Sequence, residues 1–286
     1  MTKLSRLIIL LATLWGVCGR ADAGITLDYC LQRAETNYPL IRKYANFSKL
    51  PKEIVNKIKN NNICYKNDVR CAIEDYYGPF SYLSEQFYKR LVFGMESHEL
   101  VLYHATKMLS KSQVLEQGLK TNEWEAYSSL LIESLDSIGF DVQGKGEIMR
   151  LVEKEYKRKY SVASRKAQLC FFSDMGQIDQ EGSAGCEQFC ENIGGEIARW
   201  ALKDSHPELY VPLKNKGEAF IVKFRMPFTD VVDFDKETIL YQFVSHYAAK
   251  YFFNFKYDIQ FTSMTESDVP KENILELIPY TKEVNY

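Results

Sequence analysis

Apolar positions along the chain change their spacing several times, and these changes predict helices alternating with short strands. Between residues 24 and 98 apolar side chains recur every three to four positions, which is typical of amphipathic helices. Continuous apolar runs bounded by polar residues predict buried strands instead. We expect such strands at 101–104, 169–172, 219–224, 258–262 and 274–278. Strands with irregular helices between them indicate an α+β fold.

Long helical stretches separate the predicted strands. Residues 121–168 have a mostly helical pattern with a break between Gly139 and Gly146, and further helices are predicted at 186–202 and 239–253. Residues 24–98 show no strand pattern. The chain is therefore predicted to form a helical N-terminal subdomain over 24–98 and a second domain over 99–286.

The first 23 residues have the pattern of a secretory signal peptide. Lys3 and Arg6 precede an eleven-residue apolar run, Leu7 to Val17, and Ala21-Asp22-Ala23 is a small-x-small cleavage site. The run is shorter than a membrane-spanning helix requires. A buried N-terminal helix is the alternative interpretation. The pattern predicts a secreted or periplasmic protein that begins near residue 24 and has no membrane span in its mature form.

Charge and cysteine content add two expectations. Cleavage removes three basic residues and one acidic residue, so the net charge changes from −2 to −4, and no basic stripe favours nucleic acid. Six cysteines then remain, and an even number in an exported chain predicts at least one disulfide bond, with the pairing left open. They are Cys30, Cys64, Cys71, Cys170, Cys186 and Cys190. No zinc-site spacing is present, and we expect no metal.

One motif stands out in the second domain. Leu102-Tyr103-His104-Ala105-Thr106 ends a predicted strand, and Gly118-Leu119 follows fourteen residues after the histidine, behind a short helix-like run. This arrangement resembles the first motif of the ADP-ribosyltransferase superfamily, in the His-type branch that includes the poly-ADP-ribose polymerases. The family usually has Gly where this chain has Ala105.

Two further segments extend the resemblance in the same order along the chain. Leu169-Cys-Phe-Phe-Ser-Asp174 is similar to the second motif, with Phe171 at the position of a tyrosine and Ser173 at the small-residue position. Tyr257-Asp-Ile-Gln-Phe261 resembles the strand that has the family's acidic residue. The resemblance covers about residues 99–286 and implies a split mixed or antiparallel β-sheet core of the ADP-ribosyltransferase type.

The resemblance also implies a set of site residues and a substrate, NAD. His104 would bind the ribose hydroxyls, while Ala105, Thr106 and Gly118 would lie against the nicotinamide half. Alternatively, His104 is a core histidine that bonds a backbone carbonyl. Phe171 would stack on the nicotinamide ring or pack in the core, and Ser173 marks the strand end. Asp258 would stabilise the developing ribosyl cation, with Gln260 on the same strand face as the first alternate. Further alternates for the acidic residue are Glu218 and Glu196.

Three functions are consistent with this set. The first is an exported mono-ADP-ribosyltransferase, a toxin or effector, that modifies a macromolecule with ADP-ribose from NAD or hydrolyses NAD. The second is a binding protein of the same fold that has lost catalysis. The third is an RNA 2′-phosphotransferase-like enzyme, against which the signal peptide argues.

Overall fold

The computed structural model describes part of the chain. The described residues are 26–28, 98–162, 167–174, 195–233 and 261–280, together with the single positions 93, 95, 96, 190, 193, 235, 236 and 239. The predicted signal peptide, most of the predicted N-terminal subdomain, the predicted helix at 239–253 beyond its first residue, Asp258 and Gln260 lie outside them. So do Cys30, Cys64, Cys71 and Cys186.

The described strands form one six-stranded sheet. Its strands are β1 Thr26–Asp28, β2 Glu99–Met108, β3 Leu169–Phe172, β4 Glu218–Pro227, β5 Thr262–Thr265 and β6 Ile274–Pro279. Five of them are antiparallel in the order β5-β3-β2-β4-β6, and β1 adds a parallel pair on β2. Helices and an antiparallel sheet together confirm the α+β class.

Strand β2 is paired unequally with its two neighbours. It pairs with β4 along all ten residues, from Glu99 opposite Pro227 to Met108 opposite Glu218. With β3 it shares one pair, Tyr103 opposite Phe172. The sheet is therefore continuous on one side of β2, and on the other side the ladder ends just before His104.

Most of the described α-helices share a hydrophobic core of their own. The described α-helices are α1 Lys111–Gln117, α2 Trp124–Ser137, α3 Val142–Val162, α4 Gly195–Leu202 and α5 Pro207–Asn215. On α2 and α3 the buried side chains recur at helical spacing, with Tyr127, Leu131 and Leu135 against Ile148 and Val152. Helices α4 and α5 complete this cluster. None of the described helices is long and apolar enough to cross a membrane.

The strands follow the sequence predictions more closely than the helices do. The strand predicted at 169–172 is confirmed, and those at 101–104 and 219–224 are confirmed and longer. Other predictions are wrong. Residues 26–28, which were expected to be helical, form β1 on the edge of β2. Of the described residues of the strand predicted at 258–262, only Thr262 belongs to β5. The break expected between Gly139 and Gly146 ends at Asp141, because both Gly144 and Gly146 lie in the first turns of α3. Helix α5 was missed, since Pro207 and Pro212 both resemble helix breakers.

The segment after α1 is fixed to a distant turn. Gly118 has φ 76° and ψ −162°, and the next residue exchanges two backbone hydrogen bonds of 2.9 Å with Val269. Beside this bridge the Asp268 carboxylate accepts hydrogen bonds from Thr121 N at 2.8 Å and from Lys120 Nζ at 2.9 Å. Residues 118–121 are thus held against 268–269, about 150 positions later in the chain.

Gly118→Ala should destabilise the fold more than Gly139→Ala. Both glycines have positive φ, so each alanine is strained by about 1–3 kcal/mol. A Cβ at Gly118 would also lie 2.1 Å from Val269 O, whereas nothing lies within 4 Å of one at Gly139. Urea unfolding measures the free energy of unfolding of both variants, and the difference between them is the cost of the close contact between a Cβ at position 118 and Val269 O. Equal losses in the two variants would contradict the observed packing of Gly118 on Val269.

We expect Asp268→Asn to lower the free energy of unfolding by an amount that depends on pH. Partial burial raises the pKa of Asp268, but the hydrogen bonds from Thr121 and Lys120 outweigh it and hold this pKa below its ordinary value of 3.8. A carboxyl whose pKa is lowered on folding contributes its full stability above pH 3.8 and loses it as the pH falls through the folded value. Because the group is nearly half exposed, we expect about 1 kcal/mol at most at pH 7.

Urea unfolding of wild type and Asp268→Asn at pH 7 and at pH 3 checks this. The difference in the free energy of unfolding between wild type and Asp268→Asn should be smaller at pH 3 than at pH 7. Asp204→Asn, at an exposed turn residue, is the control and should show no such change. A difference that grows on acidification would be the opposite of the expected sign.

Candidate functional site

A cavity of about 390 Å³ opens where β2 and β3 separate. The second half of β2 forms one wall and residues 168–170 form the opposite wall, with α1, the 118–122 segment and α2 around them. Its volume lies within the range of small-molecule sites. The cavity thus follows directly from the short β2–β3 ladder.

His104 bridges the two walls. Its Nδ1 lies 2.8 Å from the backbone carbonyl oxygen of Cys170 on β3. A carbonyl only accepts, so Nδ1 is the protonated nitrogen and Nε2 is an acceptor in the neutral ring. The backbone bond that the core-histidine alternative requires is therefore present. The same residue nonetheless lines the cavity and is only half-buried.

The imidazole is held in its neutral form. Burial lowers the pKa of His104 below its ordinary value of 6.5, and the hydrogen bond to Cys170 O, which raises this pKa, offsets only part of the effect. At neutral pH the ring therefore offers a lone pair. Hydroxyl or N–H groups of a ligand are the natural partners for it.

Three other predicted residues line the same cavity. Ala105 and Thr106 follow His104 on β2, and Gly118 closes α1 on the other side. Ala105 pairs with Ile221 in extended conformation, and Ala167 is the one non-glycine residue of positive φ in the described part of the chain. The backbone at 105 therefore has no need of glycine. The structure brings His104, Ala105, Thr106 and Gly118 together.

Phe171 and Ser173 are placed elsewhere. Phe171 is fully buried and packs edge-on against Phe224 of β4, with ring centroids 6.4 Å apart. Ser173 Oγ accepts a hydrogen bond from Phe261 N at 3.0 Å and joins β3 to the approach of β5. Neither side chain lines the cavity. Stacking of Phe171 on a ligand would need a rearrangement of β3.

The predicted acidic residue is not among the described residues. Asp258 and Gln260 lie outside them, so their roles stay predictions, and the side chain of Glu196 is likewise outside. Glu218, the remaining alternate, begins β4 as an exposed residue and does not line the cavity.

Sequence reasoning missed several polar residues of the cavity. Gln113 Nε2 donates to Glu133 Oε2 at 3.2 Å, and both side chains line the cavity. Gln168 lies in the opposite wall, where its buried Oε1 has no hydrogen-bond partner among the described residues. Ser110-x-x-Gln113 is a capping-box pattern that would have placed Gln113 at the start of a helix. No comparable signal marks Glu133 or Gln168.

Neither a disulfide nor a metal cluster occurs in the described part of the chain. Cys170 and Cys190 form no disulfide there. No group of three or more His, Cys, Asp or Glu side chains in the same part is arranged to hold a metal ion. The expected disulfide stays a prediction, since four of the six cysteines are outside the described residues.

Comparison with protein-family models, with curated proteins and with solved structures finds no match to this chain.

The resemblance implies that NAD binds in this cavity. On that expectation, His104→Ala should weaken NAD binding by about 1–3 kcal/mol, roughly a 5- to 150-fold rise in Kd, because one hydrogen-bonding partner in the cavity is removed. The chain should still fold, since the ring is half-buried and β2 keeps its full ladder with β4. Calorimetric titration with NAD and circular dichroism measure the two effects. His206→Ala, at the start of α5 and away from the cavity, is the control. An unfolded His104→Ala protein would favour the core-histidine interpretation.

Proposed function

We propose that this protein is an NAD-dependent mono-ADP-ribosyltransferase-like enzyme that modifies a macromolecule. The observation that supports the proposal best is the common cavity of His104, Ala105, Thr106 and Gly118. These residues come from two separate parts of one sequence motif, and folding unites them around a space suited to a small molecule. The proposal includes a split-sheet ADP-ribosyltransferase core, with which the short β2–β3 ladder is consistent.

The chemistry of the cavity suits the nicotinamide-ribose half of NAD. A ribose diol donates hydrogen bonds, and the neutral imidazole of His104 accepts one through Nε2. Beyond Tyr103, the β3 side of β2 has no strand partner and borders the cavity. Backbone groups of residues 105 and 106 would therefore be close to a ligand in the cavity. Held in this way, the ribose would present its anomeric carbon to an acceptor in a fixed orientation.

Export belongs to the same proposal. The signal pattern of residues 1–23 predicts a secreted or periplasmic chain, and an exported enzyme that consumes NAD fits the role of a toxin or effector. Its acceptor would be a protein or another macromolecule.

A second candidate is a protein that binds NAD without turning it over. The burial of Phe171 favours it, because the ring that would stack on nicotinamide packs against Phe224 instead. Without that contact a bound nicotinamide ring would be held less firmly, so the reacting ribose would be oriented less precisely. Hydrolysis of NAD to ADP-ribose is the intermediate case, in which water serves as the acceptor.

Release of nicotinamide from NAD by the purified chain tests the proposal. Asp258→Ala should lower the rate about 10²–10³-fold and leave Kd nearly unchanged, since a carboxylate at a developing cation acts mainly in the transition state. Gln260→Ala is the matched neighbour and should lose much less.

Two results would change this assignment. An active Asp258→Ala protein beside an inactive Gln260→Ala or Glu218→Ala protein would move the acidic role to another residue. NAD binding by wild type with no nicotinamide released under any condition would favour the second candidate.

A further inference from the structure

One wall of the cavity contains a buried acceptor without a donor. Gln168 lines this wall and is 6% exposed, and its Oε1 has no hydrogen-bond partner among the described residues. Folding has therefore removed water from this oxygen without giving it a bond in return. Such groups are costly and uncommon in native proteins, and one beside a ligand cavity is explained if the ligand supplies the missing donor.

The orientation of the Gln168 amide is determined by Glu266. Strands β3 and β5 pair with Leu169 opposite Thr265, and Gln168 and Glu266 flank this pair. Their side chains meet at 3.4 Å between Gln168 Nε2 and Glu266 Oε1. A carboxylate accepts hydrogen bonds and does not donate them, so the amide nitrogen is the group on the β5 side. The Gln168 oxygen is therefore directed away from Glu266.

The cavity lies on the other side of β3, towards β2. The backbone oxygen of Gln168 accepts a hydrogen bond from Asn122 N at 3.3 Å, which holds the residue beside the 118–122 segment at the cavity wall. Glu266 is exposed, so its side chain can follow a small movement of the amide towards a ligand. The amide of Gln168 thus has a donor end held by Glu266 and an acceptor end on the cavity side.

Building on the proposed function, we propose that Gln168 makes the cavity selective for a ligand that donates a hydrogen bond to its amide oxygen. In the nicotinamide half of NAD, the groups that donate are the carboxamide N–H and the two ribose hydroxyls. An acceptor with no other partner discriminates against a ligand that lacks the donor, because the oxygen then stays unpaired. Gln168 is thus a specificity-determining residue, and Glu266 is a positioning residue that keeps the oxygen on the cavity side.

Binding of NAD and of three analogues to wild type and to Gln168→Met tests this assignment. 3-Acetylpyridine adenine dinucleotide replaces the carboxamide NH₂ with a methyl group, and the other two analogues lack the 2′- or the 3′-hydroxyl of the nicotinamide ribose. Wild type should bind at least one analogue more weakly than NAD. Gln168→Met keeps the length of the side chain without the amide, and it should lower this Kd ratio roughly five- to thirtyfold, the effect of one hydrogen bond. The analogue that responds identifies the donor.

Glu266→Ala tests the orientation of the amide while the cavity lining stays unchanged, since Glu266 is exposed and does not line the cavity. Without the carboxylate, the amide is free to turn its NH₂ group to the cavity side. The same Kd ratio should therefore fall, although by less than in Gln168→Met. Glu272→Ala, at another exposed acidic residue that does not line the cavity, should keep the wild-type ratio.

Urea unfolding separates this role of Gln168 from a structural one. Ligand-free Gln168→Met should have a free energy of unfolding equal to that of wild type or higher, because it no longer buries an unpaired acceptor. A structural role alone would lower the free energy of unfolding and leave all Kd ratios unchanged. That pair of results would overturn the inference.

Failure of this inference is distinguishable from failure of the proposed function. Binding of NAD by wild type with unchanged Kd ratios in Gln168→Met overturns the role of Gln168 and leaves the proposed function intact. Equal binding of NAD and all three analogues by wild type does the same. Absence of binding of NAD to wild type contradicts the proposed function and, with it, the inference that rests on it.

Discussion

The hydrogen bond from His104 to the Cys170 carbonyl is the interaction on which the cavity depends. Strands β2 and β3 share one ladder pair, at Tyr103 and Phe172, and directly beyond it the imidazole spans the space between them. A side chain in this position keeps the strands connected while it holds them further apart than a ladder would. Because β4 pairs with β2 over all ten residues, the separation is confined to the β3 side of β2.

The side of the cavity formed by residues 118–121 depends on a contact that is distant in sequence. Gly118 ends α1 in a conformation that a side chain would not tolerate, which lets Leu119 form its bridge with Val269. Asp268 then holds Lys120 and Thr121. The ammonium of Lys120 is consequently directed to Asp268. The same contact that shapes this wall therefore also removes a positive charge from the cavity.

Sequence reasoning succeeded where one local signal decided the outcome. The run 169–172 is continuous, apolar and bounded by polar residues, so its strand was predictable to the residue. Helix α5 was not, because the pattern alone does not distinguish a proline at the first helical position, where its missing N–H costs nothing, from one that ends a helix. Gly144 suggested a break between helices, but it lies within α3. A glycine is present there because the Phe140 ring occupies the space that a Cβ would fill.

The same distinction, between what a local sequence signal shows and what tertiary packing decides, applies to the residues of the site. His104, Ala105, Thr106 and Gly118 were predictable because a strand, a short helix and a glycine cap keep them close whatever the rest of the chain does. The burial of Phe171 was not, since an uninterrupted apolar run has no alternation to show which residue faces the core. Glu133 was hidden because its position depends on how α2 packs beside α1. A helix surface has many exposed carboxylates, and only tertiary packing distinguishes the one at the cavity.

Taken together, the polar groups of the cavity favour one kind of ligand. His104 Nε2, Gln168 Oε1 and the Glu133 carboxylate all accept hydrogen bonds. The Lys120 ammonium is paired with Asp268, and the Lys107 ammonium, which donates to the backbone oxygen of Lys214, keeps its positive charge. Hydroxyl and amide N–H groups of a ligand would find hydrogen-bond acceptors there. In the proposed complex with NAD, the ribose hydroxyls and the amide of the nicotinamide half would supply such donors.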